Sequence, residues 1–123
     1  MRLLALAVAA TLSATQPPVL TPQPLTTPAA ANWAQPQLSV SSRGVLVSWI
    51  ERAGDLATLK FSERTGQGWT PGRTVASGRD WFVNWADVPS VLRLTDGALY
   101  AHWLQKSGSD TYAYDVRLAR SKD

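Results

Sequence analysis

Ser42-Arg43-Gly44-Val45-Leu46-Val47-Ser48-Trp49-Ile50 is echoed downstream by Thr95-Asp96-Gly97-Ala98-Leu99-Tyr100-Ala101-His102-Trp103-Leu104. In both copies a polar residue and a Gly precede a run that ends in Trp and an aliphatic residue, and the two Trp residues lie roughly 50 positions apart. A short strand pattern leads into each copy, over 38–41 and 90–94, and a Gly turn with a further strand follows, over 56–63 and 112–120. Val45, Val47 and Trp49 share one parity, the period of a half-buried strand, and Leu59, Phe61 and Val91 fit the same scheme.

A self-similar unit of this period, made of short turn-bounded strands, reads as a blade of a β-propeller. Such a unit is a four-stranded antiparallel sheet that cannot bury both faces alone, so its apolar positions pack against neighbouring blades. The first unit is expected over 34–77 and an incomplete second over 87–123. In the first, Arg64-Thr65-Gly66-Gln67-Gly68-Trp69 forms the turn into a fourth strand over 70–77, with Pro71 ahead of the pairing region, where its missing N–H does little harm. The second unit shows three strands and no fourth, so about one and three-quarter blades are expected.

At the N-terminus, Arg2, the apolar run 3–12 and then Ser13-Ala14 form the pattern of a secretory signal peptide over 1–14. A run of that length falls short of the roughly 20 apolar residues that span a bilayer. Residues 15–31 hold Pro17, Pro18, Pro22, Pro24 and Pro28 among Thr, Gln and Ala, which reads as an extended linker, ordered only if something grips it. The expected location is therefore secreted or periplasmic, with no membrane span. The absence of Cys excludes a disulfide framework and thiolate chemistry, and a net charge of +3 is too weak to argue for nucleic acid. No phosphate loop, dinucleotide fingerprint, zinc motif or calcium loop is present, so neither cofactor nor metal is expected.

Trp49, Trp69 and Trp103 fall inside the repeat and read as inter-blade packing. Trp81 and Trp85 lie instead in Gly78-Arg79-Asp80-Trp81-Phe82-Val83-Asn84-Trp85-Ala86-Asp87, a connection that interleaves polar and aromatic groups. Either this loop meets a ligand or its aromatics plug the junction between units. His102 sits on the strand face opposite to Trp103 and reads as a structural or surface residue.

The terminal Ser121-Lys122-Asp123 matches the first half of the Asp-box Ser-x-Asp-x-Gly-x-x-Trp, and 64–69 matches a degenerate box that keeps a Gly and the Trp. With them, the second unit resembles the opening catalytic blade of the sialidase superfamily. The resemblance implies a six-bladed propeller, glycans as substrates, and the remaining blades as intramolecular partners. Asp87-Val88-Pro89 stands where that family has Arg-Ile-Pro, whose Arg grips the sialic acid carboxylate, so the charge is inverted here. A carboxylate at Asp87 repels a substrate carboxylate instead of forming paired N–H bonds to it.

Lys106 lies near a second family Arg, where it either attracts an anion or is a solvated strand-end lysine. Asp110 lies near the acid/base Asp, and the alternative is a turn-forming residue. The family's Tyr nucleophile and Glu are expected beyond Asp123. The resemblance thus gives Asp110 as candidate acid/base and Asp87 and Lys106 as candidate substrate-binding residues, and the connection between units, which in a propeller crosses to the central face, adds Arg79, Asp80, Trp81, Asn84 and Trp85. Two functions follow: an exported glycan-directed propeller with exo-glycosidase activity of the sialidase type, or a non-catalytic glycan-binding or scaffold propeller.

Overall fold

The computed structural model describes residues 19–122. The expected signal peptide, the start of the linker and Asp123 lie outside the described residues. Within them the chain is all-β and antiparallel. The first sheet contains β1 (Trp33–Ser41), β2 (Gly44–Ala53), β3 (Leu56–Thr65), β4 (Gly68–Trp69) and β5 (Arg73–Gly78); the second contains β6 (Ser90–Arg93), β7 (Leu99–Lys106) and β8 (Tyr114–Ser121). Both are meanders. β4 and β5 pair with the same edge of β3 and act as two halves of one fourth strand. The break between them falls at Pro71-Gly72, and the Thr70 N–H still donates to the Glu63 carbonyl at 2.9 Å. Among the described residues no helix is long and apolar enough to cross a membrane.

Turn chemistry fixes the hairpins. Gly44 opens β2 at φ 119°, and a Cβ there would meet the Arg64 carbonyl oxygen at 2.7 Å, so both the backbone angle and the space demand Gly. In the β3–β4 turn, the Thr65 hydroxyl accepts from the Gln67 N–H and donates to the Gly68 carbonyl, both at 3.2 Å. Thr65 thus closes the β3–β4 turn with its hydroxyl.

The two sheets pack through Leu46, Ile50, Ala57, Leu59 and Phe61 on one side and Val91, Leu99 and Ala101 on the other. The register explains the set, because Ile50 faces Leu59 across β2–β3 and Val91 faces Ala101 across β6–β7. The buried stripe of β2 is therefore Leu46, Ser48 and Ile50. The sequence pattern placed Val45, Val47 and Trp49 on the packed parity; the core stripe is instead the opposite one, with Val45 and Val47 only partly buried and Trp49 alone on their face fully covered.

Ser48 is in the core for a reason that its polarity hides. Strand β6 turns its free edge onto the first sheet, and there the Val91 N–H donates to Ser48 Oγ at 3.2 Å while Ser39 Oγ donates to the Val91 carbonyl at 3.2 Å. Two hydroxyls satisfy a backbone edge that would otherwise be buried without partners. A second tie between the sheets is ionic. Arg93 donates through Nε and Nη2 to the two Glu63 oxygens at 2.6 and 2.9 Å, and through Nη1 to the Gly97 carbonyl. The Arg93 bonds hold the Glu63 carboxyl below its usual range against the opposing effect of burial.

Candidate functional site

The second sheet begins earlier than Asp87, where the sequence pattern opened it. Trp81 forms a bridge with Gln105, the Lys106 N–H donates to the Asp80 carbonyl at 2.7 Å, and the Phe82 N–H donates to the Leu104 carbonyl at 3.0 Å. Ser90 then pairs with His102. Residues 80–82 and β6 thus lie along the same edge of β7, and 83–89 form an excursion between them. That excursion carries Asn84, Trp85 and Asp87.

Its shape is fixed by Asn84. The side-chain oxygen accepts from the Ala86 and Asp87 N–H groups at 2.7 and 2.9 Å, and Nδ2 donates to Asp87 Oδ2 at 3.0 Å. This is an Asx turn that also clamps the Asp87 carboxylate. Trp85 stands at its tip with 89% of its surface exposed. Asp87 borders a cleft of about 400 Å³ with Gln37, Pro89, His102 and Val116. His102 Nδ1 shares a 3.2 Å hydrogen bond with the Ser90 hydroxyl, which accounts for the single His.

The remaining candidates divide between packing and surface. Trp81 stacks on Trp103 with centroids 5.2 Å apart and planes at 21°, and Phe82 stacks on Tyr114 at 4.5 Å. Arg79 is paired with Asp55 in the β2–β3 turn. Asp80 accepts from Gln105 Nε2 at 2.6 Å, and Gln105 in turn accepts from Arg117 Nε at 3.0 Å, forming a polar relay across the strand ends. Lys106 closes β7, exposed, beside Tyr114. Asp110 is exposed in the β7–β8 loop, where its carbonyl accepts from the Ala113 N–H at 3.1 Å.

Strand direction sorts these residues by place. The Gly54-Asp55 turn, the entry to 80–82 and the β7–β8 loop share one end of the two sheets, because Arg79 reaches Asp55 and Asp80 pairs with Lys106. Arg79, Asp80, Lys106 and Asp110 therefore gather at that end, with the excursion issuing from the same edge of β7. Gln105 and Arg117 were not singled out from the sequence. Their alternation within strands gives no sign of the relay to Asp80. Among the described residues no group of acidic, His or Cys side chains has the arrangement of a metal site.

Comparison of the chain with family models, with curated proteins and with solved structures yields no match.

Proposed function

We propose that this chain forms part of an exported, sialidase-like β-propeller that engages glycans at the end bearing the 83–89 excursion. Two stacked antiparallel meanders support the blade reading. So do their outward faces, where Leu38, Val40, Val116 and Leu118 stand 62–80% exposed in rows that neighbouring blades would cover. The observation that carries the glycan reading is Trp85, a nearly fully exposed indole at the tip of the Asn84 turn, next in the chain to the Asn84 and Asp87 side chains. An aromatic face packs against the C–H face of a sugar ring, while carboxylate and amide groups beside it take the hydroxyls.

Binding is favoured over hydrolysis by Asp87. Asn84 donates to its carboxylate at 3.0 Å, so this position presents fixed negative charge where sialic acid recognition needs Arg. Neutral glycans fit this charge better than sialosides do. Hydrolysis in the parent protein requires Asp110 to protonate a leaving oxygen, and its exposed loop position leaves that carboxyl accessible.

The test is a glycan titration followed through the assigned indole N–H signals. Neutral oligosaccharides are expected to move the Trp85 signal, Trp85→Ala to abolish binding without loss of fold, and an α-sialoside to bind more weakly than its neutral counterpart. A sialoside that binds best, or a Trp85 signal indifferent to every sugar, refutes the reading. Release of a reporter aglycone that disappears in Asp110→Asn would restore the hydrolase.

A further inference from the structure

We infer that the cleft bordered by Asp87 and Gln37 takes the charged amine of an amino sugar, an inference that rests on the glycan reading above and names the sugar class that Asp87 selects. At about 400 Å³ the cleft falls within the roughly 300–1,000 Å³ of small-ligand sites. His102 borders it as well, and among the described residues no Lys or Arg does.

Charge points to an ammonium. Both Glu residues, Asp55, Asp96 and Asp115 lie within 4.0 Å of an Arg or Lys, so their charge is answered inside the fold. Asp87 has no such partner among the described residues. Its side chain accepts one bond, from Asn84 Nδ2 to Oδ2, which orients the carboxylate and leaves Oδ1 to accept another. A chain of net charge +3 thus keeps an oriented, unpaired carboxylate at a cleft that no cation borders.

The second acceptor is brought there by a bulge. Ala34 pairs with Ile50 but Gln37 with Ser48, three steps on β1 against two on β2, with Gln35 at φ 47°. An unbroken ladder would set Pro36 opposite Ser48 and turn Gln37 to the outward face. The extra residue instead gives Gln37 the parity of Ser39 and Ser48, whose hydroxyls meet the second sheet at Val91. Gln37 is exposed, so its amide oxygen is accessible at the cleft that Asp87 borders. An ammonium offers three donors and no acceptor; a carboxylate and an amide oxygen match it, and the acceptors of a sugar carboxylate do not.

The experiment titrates three oligosaccharides of one backbone into the full chain, bearing a free amine, an N-acetylated amine or a hydroxyl at the same ring position, at a pH where the free amine is charged. Affinity is read by calorimetry, and the Trp85 indole and Gln37 amide signals by NMR. The free-amine oligomer is expected to bind about threefold more tightly than the other two, the scale of an exposed ion pair, and to move the Gln37 signals. Asp87→Asn keeps an acceptor for Asn84 but removes the charge, and should abolish the advantage of the amine. Should that variant not fold, salt provides the second measurement on the unaltered chain. At about 1 M, where the screening length is about 3 Å, most of the advantage should vanish. Equal affinities with Trp85 still responding overturn the inference and leave the glycan reading standing, whereas a Trp85 signal indifferent to all three sugars refutes both. An advantage that survives Asp87→Asn overturns the inference, as does a linear triamine that binds as tightly as the free-amine oligomer.

Discussion

Replacing Arg93 by Met severs the ionic tie between the sheets while keeping most of the side-chain volume. The guanidinium is 2% exposed and its partner Glu63 15%, so the change leaves a carboxylate half-stranded between sheets and the Gly97 carbonyl without its donor. Removing one member of a buried pair costs about 3–5 kcal/mol. Because Glu63 keeps some access to water, the expected loss is at the lower bound, about 3 kcal/mol. With a urea slope of about 1.5 kcal/mol per molar, the unfolding midpoint falls by about 2 M, measured by tryptophan fluorescence on dilute protein. Glu63→Leu combined with Arg93→Met removes both charges and should recover at least half of the loss. A midpoint shift below about 0.5 M for the single change, or a double variant as unstable as the two singles added, refutes the reasoning. The pH dependence carries the same sign. Glu63 is depressed from 4.5 mainly by the Arg93 bonds, with burial opposing; for Glu51 burial is the largest single influence, yet the bonds from Lys60, Trp49 and Ala30 together outweigh it. A depressed carboxyl contributes fully above its unfolded value and loses its contribution as pH falls through the folded one. The Glu63 bonds raise Arg93 further, so its contribution holds throughout the working range. Stability should therefore decline only on the acid side of about pH 4.5, and Glu63→Gln should flatten part of that decline.

Ser48→Ala leaves the Val91 N–H without its acceptor in the core and should cost about 1–3 kcal/mol by the same urea assay, whereas Ser48→Thr, which keeps an acceptor, should cost less. Gly78→Ala places a methyl against the Trp81 indole, so the near-ultraviolet dichroism of the stacked Trp81–Trp103 pair should collapse, with a loss of about 1–3 kcal/mol; unchanged dichroism counts against that packing. Val40→Lys and Leu118→Lys fall on 80% and 76% exposed positions, so they should reduce self-association in sedimentation velocity while moving stability by no more than about 0.5 kcal/mol.

The strands were legible because their turns and alternation agree. Gly44 and Gly97 both adopt positive φ in hairpins that the repeat had marked, and β2, β3, β5, β7 and β8 fall close to the expected spans. What escaped the sequence is where a strand departs from its own period. Ser48 breaks the apolar stripe because it serves another strand's backbone, and Arg93 looks like a solvated strand end until β6 lays it against Glu63. The pairing of 80–82 with β7 was hidden by the intervening excursion, since no alternation runs through Val83-Asn84-Trp85-Ala86-Asp87. Among the candidate residues, loop placement was readable from polarity. The partners of Arg79 and Asp80 were not, because Asp55 and Gln105 are distant in sequence.

The excursion and the packed bridge beside it depend on each other. Residues 80–82 hold the register against β7, and Trp81 commits a ring face to Trp103, so the chain leaves the sheet edge at Val83 from a rigid platform. It rejoins at Ser90, where the buried Pro89 and the Ser48 and Ser39 hydroxyls anchor the return. Between two fixed points, an Asx turn sets the course of the backbone that carries Trp85. If Trp85 is the binding surface proposed above, an already ordered backbone lowers the entropic cost of using it. The two loop tryptophans, alike in sequence, thus have opposite settings: Trp81 is packed against Trp103 and Trp85 is exposed at the tip of the excursion.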